Sequence, residues 1–120
     1  MAGSILISDK VGLPLGSFAL FYLIEKIRDE FDGKDEVFKK EIYETLEDQG
    51  MPFITLHRQT KAGFNAFVRA AGRAYNKARQ EESFSTYSHI WKSLFDLLAA
   101  DSRCDPKYIV ELKHMRSIKI

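Results

Sequence analysis

The chain has 120 residues, of which 45% are hydrophobic and 29% are charged, and its formal net charge is +1. This length fits one domain with a substantial core, residues 1–120, and the composition is that of an ordinary globular protein. The near-neutral charge excludes a histone-like polycation, so any electrostatic function must depend on a local patch. The single cysteine, Cys104, excludes an intramolecular disulfide framework and fits a reducing compartment. The apolar stretch 11–24 is too short to span a bilayer, so we expect a cytoplasmic protein without a membrane partner.

The first half of the chain predicts two helices and a short extended connector. Residues 5–7 are an edge strand or a packed arm, and residues 12–16 form a loop. A first helix runs from Ser17 to about Phe31, because apolar residues recur there at three- and four-residue steps: Phe18, Phe21, Ile24, Ile27 and Phe31. Asp35 caps a second helix that ends near Gln49, with Phe38, Ile42 and Leu46 on one face and Gly50 as its stop. Pro52 favours an extended connector or a brief strand over 51–56.

The second half of the chain predicts three more helices. They span 60–80, 85–100 and 106 to about 116, and the last has an Asp105-Pro106 start. Residues 117–120 alternate polar and apolar side chains, so they form a strand or fray. The fold class is therefore mainly all-α, a compact bundle of about five helices. A minor two-stranded element could come from the N-terminal arm, the 51–56 connector or the C-terminus.

Charge is segregated along the chain. Between Glu25 and Asp48 there are ten acids and five bases, whereas residues 50–79 contain six Lys or Arg residues and no carboxylate. Two interpretations stay open at this point. The basic segment is either a surface for an anionic partner, or it pairs with the acidic second helix inside the fold.

The third helix carries two rows of residues at four-residue spacing, and such rows lie side by side on a helix. The basic row contains Lys61, Asn65, Arg69, Arg73 and Lys77. The alanine row would allow close packing against another helix or against a second copy of the chain in a homodimer, and it contains Ala62, Ala66, Ala70, Ala74 and Ala78.

The leading functional prediction is an accessory protein that binds nucleic acid through this third helix. Arg and Lys side chains supply the phosphate contacts of such proteins, while amide and aromatic side chains contact bases. In this chain Asn65 and Tyr75 would contact bases. The predicted phosphate contacts are Arg58, Lys61, Arg69, Arg73, Lys77 and Arg79.

The alternative is a protein-binding module of the immunity, antitoxin or adaptor type, which neutralises or tethers one protein partner. Two opposite charge fields suit the steering of a partner protein. The second candidate surface is then acidic and consists of Glu36, Glu41, Glu44, Glu47 and Asp48.

The sequence gives no sign of catalysis or of a cofactor. His57, His89 and His114 have no His, Cys or acid at a metal-ligand spacing, and no glycine-rich phosphate loop is present. The acidic run 29–36 fails as a calcium loop, because placing Gly33 at the loop glycine puts Arg28 and Lys39 at ligand positions. We predict that the protein is not an enzyme and binds no metal.

Overall fold

The computed structural model describes the backbone of residues 2–117 and the side chains of residues 3–113. The strands are β1 (Ala2–Leu6), β2 (Gly12–Gly16) and β3 (Phe53–Thr55), and the helices are α1 (Ser17–Arg28), α2 (Glu36–Glu47), α3 (Lys61–Ala78), α4 (Phe84–Ala100) and α5 (Pro106–Ser117). A short 3₁₀ turn, Gly33–Asp35, precedes α2. The five predicted helices are therefore present, with ends that differ by a few residues. Residues 118–120, where the chain was expected to form a strand or fray, lie outside the described part.

The helices are joined to a three-stranded sheet, which is more sheet than the sequence predicted. Its order is β2-β1-β3. β1 and β2 form an antiparallel hairpin with Ile5 opposite Leu13, and β1 pairs in parallel with β3, with Ile5 opposite Ile54. The stretch 12–16 is thus a strand and not the predicted loop. Pro14 is compatible with this strand because β2 lies at an edge of the sheet, where a missing N–H is tolerated.

One face of this sheet closes the core. Ile5, Ile7 and Ile54 are at most 1% exposed, while Leu6, Phe53 and Thr55 alternate with them and are half-buried on the opposite face. Helix α1 packs on β1, β2 and α3, α2 packs on β3, and α4 packs on α5. In the described part of the chain, no helix is both long and apolar enough to cross a membrane.

Helix α1 is rotated from the predicted orientation. Phe18 and Phe21, expected in the core, are 89% and 51% exposed. Ile24 and Ile27 are buried as predicted, but Leu20 and Leu23 occupy the core in place of the two phenylalanines. Both sets have helical spacing, so periodicity could not distinguish them. The buried face is the one that packs on β1, β2 and α3, and these contacts are not visible in the spacing of the sequence.

Candidate functional site

The basic row of α3 is largely engaged within the fold. Arg69 Nη2 lies 3.1 Å from Asp35 Oδ2, and the side chain of Asp35 is only 5% exposed. Arg69 Nη1 also donates to the Tyr108 hydroxyl of α5 at 3.4 Å. The hydrogen bond with Tyr108 raises the pKa of the Arg69 guanidinium, and the hydrogen bond with Asp35 raises it further. Arg69 therefore holds α3, α5 and the start of α2 together.

The next two members of the row bind the segment that links α1 to α2. Arg73 donates to the carbonyl oxygen of Glu30 through Nε at 2.9 Å and lies 3.7 Å from an Asp32 carboxylate oxygen. Lys77 Nζ lies 2.7 Å from Glu30 Oε2. The basic helix is thus paired with acids, but the partners come from residues 30–35 and not from the second helix itself.

The two predicted base-contacting residues are buried. Asn65 donates to the carbonyl oxygens of Lys61 and Arg103 at 2.8 and 2.9 Å and accepts from the Asp105 backbone N–H at 2.8 Å. Tyr75 is 1% exposed and packs edge-on against three aromatic rings, those of Phe84, Trp91 and Phe95. Neither side chain can reach a base. The signal was present in the sequence, since Tyr75 lies on the apolar face of α3.

Three of the predicted cations are exposed and form no ion pair with any residue whose side chain is described: Arg58, Lys61 and Arg79. The first two lie near the start of α3 and the third at its end. A helix of this length spans about 27 Å. The Arg79 guanidinium also lies over the Tyr75 ring, 5.8 Å from its centroid. The exposed cations therefore do not form a continuous row.

The alanine row is buried in the core of the single chain. Ala66, Ala70, Ala74 and Ala78 are at most 1% exposed, and only Ala62 reaches the surface. A homodimer through this row is not supported, because the second copy would have nothing to pack against.

The predicted acidic surface is divided in two by its ion pairs. Glu36 lies 3.1 Å from Lys39, and Glu47 lies 3.0 Å from Arg28 of α1. Glu41, Glu44 and Asp48 are exposed and form no ion pair with any residue whose side chain is described. These three carboxylates keep their charge available to a partner.

A cleft of about 580 Å³ opens beside two of these acids. Its floor is the outer face of the sheet, formed by Leu6, Phe53 and Thr55. One wall is α2, with Glu41, Glu44, Thr45 and Gln49. The β1–β2 turn and the loop before α3 form the other wall, with Ser8, Asp9, His57, Arg58 and Gln59. The hydroxyl of Thr45 donates to the Phe53 carbonyl oxygen at 2.8 Å and fixes α2 to the edge of the sheet. The sequence predicted the charges of this site but not the cleft that collects them.

Arg103 sets the position of the second wall, a role that no pattern in the sequence indicated. Its Nη1 donates to the carbonyl oxygens of Leu56 and Gln59 at 2.7 and 2.9 Å, and its Nη2 donates to that of Ile7 at 2.8 Å. The same guanidinium binds Asp101 at 2.9 Å and lies over the Phe64 ring. Hydrogen bonding by Arg103 lowers the pKa of Asp101. We refer to Arg103, Asp101 and the three carbonyl groups as the Arg103 cluster.

Metal and thiol chemistry find no support in the described residues. No group of three or more His, Cys, Asp or Glu side chains among them could hold a metal ion. Cys104 is buried, and desolvation together with Asp101 and Asp105 raises its pKa to about 11, which disfavours the reactive thiolate.

The relationship to known proteins is clear from one protein and one solved structure. No protein-family model matches the chain. The immunity protein CdiI of Burkholderia pseudomallei is 36% identical over 103 residues, which cover 86% of this chain and 94% of that protein. The structure of the CdiA-CT toxin from B. pseudomallei E479 in complex with its cognate CdiI immunity protein matches with a TM-score of 0.83 and 34% identity, over 86% of this chain and 99% of that one.

These likenesses overturn the prediction of nucleic-acid binding and favour its alternative, a protein-binding module of the immunity type. They also agree with the expectation that the protein is not an enzyme, because an immunity protein acts by binding a toxin. The identity and the nearly complete coverage of the relative lead to one conclusion: the chain belongs to the CdiI immunity protein family.

Proposed function

We propose that this protein binds a CdiA-CT-type toxin domain and neutralises it. The observation that carries the proposal is the match to the E479 complex, where a chain covered over 99% of its length is bound to its cognate toxin. The match covers 86% of this chain with a TM-score of 0.83, so the two proteins share most of their fold.

The charge distribution of the described residues supports binding of a protein partner over binding of nucleic acid. Nucleic-acid binding depends on several free cations in one patch, because neutralisation of phosphates by Lys and Arg supplies most of the sequence-independent affinity. Arg69, Arg73 and Lys77 are instead paired with acids of the chain. The free carboxylates Glu41 and Glu44 would repel phosphate but attract a basic protein surface.

The proposal is tested by co-expressing the chain with a CdiA-CT-type toxin domain from its own host. We expect the chain to restore growth of the toxin-expressing cells and to elute with the toxin as a one-to-one complex in size-exclusion chromatography. Cells that carry the empty vector provide the control for toxicity.

A second arm uses the CdiA-CT toxin of B. pseudomallei E479 as the probe. Because only about a third of the residues are shared with the E479 immunity protein, we expect weaker binding to this toxin than to that of the host. Continued killing by the host toxin in the presence of the folded chain, with no complex, would overturn the proposed function.

A further inference from the structure

We infer that the cleft between α2 and the outer face of the sheet is the docking site for a cationic segment of the partner toxin. This inference rests on the proposed function and adds the place and the chemistry of binding. The cleft volume of about 580 Å³ falls within the range of sites that enclose a bound group, so it accommodates side chains from a protruding loop.

Among the described residues, the outer face of the sheet is only partly covered. Ile5, Ile7 and Ile54 turn into the core, so the alternating residues Leu6 and Thr55 must face the other way. Helix α2 covers the β3 edge of that face, and the remaining width is the cleft. A face of this kind, apolar at its floor and polar at its rim, is typical of a binding surface.

The rim of the cleft is charged as well. Asp9, Glu41 and Glu44 line the cleft, and none of them forms an ion pair with a residue whose side chain is described. Glu44 accepts only a long hydrogen bond from Gln49, at 3.4 Å. On the opposite wall Arg58 is the one Lys or Arg side chain of the described residues that lines the cleft. The cleft is therefore negative, and it is most negative along the α2 wall.

The chemistry of the occupant follows from this charge. Lys or Arg side chains of the partner would lie along the α2 wall and pair with Glu41 and Glu44, while Arg58 binds a carbonyl or carboxylate of the same segment. Pairs of this type raise the association rate and disfavour partners of the wrong charge. The cleft thus selects a basic loop and rejects an acidic one.

The first experiment reverses the charge of the α2 wall and compares it with a matched reversal elsewhere. We expect Glu41→Lys combined with Glu44→Lys to weaken binding of the host toxin by at least about 100-fold at low salt. The control is Asp29→Lys combined with Glu82→Lys, which changes the net charge equally at two exposed acids outside the cleft. The control should leave the dissociation constant within about threefold, since distant charges are screened.

The second experiment locates the toxin directly by cross-linking. Cys104 is buried with a raised pKa, so a cysteine introduced at the surface can be labelled selectively. Gln49→Cys lies in the cleft, and Gln80→Cys is an exposed position outside it. With a short maleimide photo-cross-linker, we expect the toxin to be captured from residue 49 and not from residue 80.

The outcomes separate the two proposals. If the wild-type chain binds the host toxin but the Glu41/Glu44 double variant binds equally well, the cleft inference is wrong and the proposed function stands. Capture of a second copy of the chain from residue 49 would likewise overturn the inference. If the wild-type chain binds no CdiA-CT-type toxin of its host, both proposals fail together.

Discussion

Two charged regions of this molecule have opposite uses, although both are conspicuous in the sequence. The basic row of α3 points at acids of the same chain, and its members Arg69, Arg73 and Lys77 hold residues 30–35 in place. The rim of the cleft carries charges that no described residue neutralises, among them Glu41 and Glu44. A charged side chain that is paired within the chain is unavailable to a partner. A charged segment in a sequence is therefore a candidate interface only after its intramolecular ion pairs are known.

The comparison also shows why the two regions should respond differently to mutation. Removing one member of a buried or half-buried pair leaves an uncompensated charge, which costs stability. Removing a free surface charge changes stability little but changes the recognition of a partner. Measured stability therefore separates residues that hold the fold from residues that face solvent.

The largest loss in the free energy of unfolding is expected from a substitution in the Arg103 cluster, because this cluster fixes the wall of the cleft. Arg103→Met would remove the guanidinium that donates to the carbonyl groups of Ile7, Leu56 and Gln59 and that forms the ion pair with Asp101, while Leu56 keeps the Gln59 N–H as a donor. We expect a loss of about 3 kcal/mol in the free energy of unfolding, measured with urea. The matched control Arg58→Met, at an exposed position, should change it by less than about 0.5 kcal/mol.

A smaller loss is expected at the buried end of the basic row. Asp35→Ala removes a carboxylate that is 5% exposed and leaves Arg69 unpaired, at a cost of about 2 kcal/mol. Glu41→Ala, which removes a free carboxylate from α2, is the control and should be within about 0.5 kcal/mol of the wild type. If the two variants lost the same free energy of unfolding in urea, the distinction between paired and unpaired carboxylates would be wrong.

The pH dependence of stability also tests the Arg103 cluster, and the expected change in the free energy of unfolding is smaller. The pKa of Asp101 is below its ordinary value of 3.8 in the folded protein, so its contribution is fully present above the unfolded value and is lost as the pH falls through the folded one. We expect the wild type to lose stability between about pH 4 and pH 2 more steeply than Asp101→Asn does. Parallel pH profiles in urea unfolding would contradict the lowered pKa.

The smallest change in the free energy of unfolding is expected at the exposed end of the basic row of α3. Lys77 is 73% exposed, so water screens its pair with Glu30, although the Glu30 side chain is only 12% exposed. Lys77→Ala should change the free energy of unfolding by about 1 kcal/mol or less, the upper part of the range for ion pairs with an exposed member. A thermal unfolding series of Asp35→Ala, Arg73→Ala and Lys77→Ala would show whether the contribution of the pairs decreases along α3. A loss at Lys77 as large as that at Asp35 would contradict this order.

The sequence predicted the features that depend on neighbours along the chain. Helix α3 was expected over 60–80 and spans Lys61–Ala78, with the Thr60 hydroxyl accepting from the Gly63 N–H at its start. Gly50, expected to stop α2, has a φ of +66°, which favours glycine. Local spacing and capping carry this information, so both features were accessible without a structure.

Features that depend on distant partners could not be predicted in this way. Strand β2 contains Pro14 and two glycines, and it becomes a strand only because β1 is present to pair with it. Asn65 lies in the basic row by spacing, yet the loop at Arg103 and Asp105 draws it into the interior. The candidate cleft joins parts of the chain that are remote in sequence, so only its charges, and not its shape, were visible beforehand.

The Arg103 cluster has a consequence for synthesis of the protein. Arg103 and Ile7 are 96 residues apart, so the ends of β1 and β3 acquire their shared donor only when most of the chain has been made. Contacts between such distant residues form late, because a long loop must close first. A ribosome-bound chain that ends before Arg103 would therefore lack the donor that positions this wall, and the cleft would form in the last stage of folding.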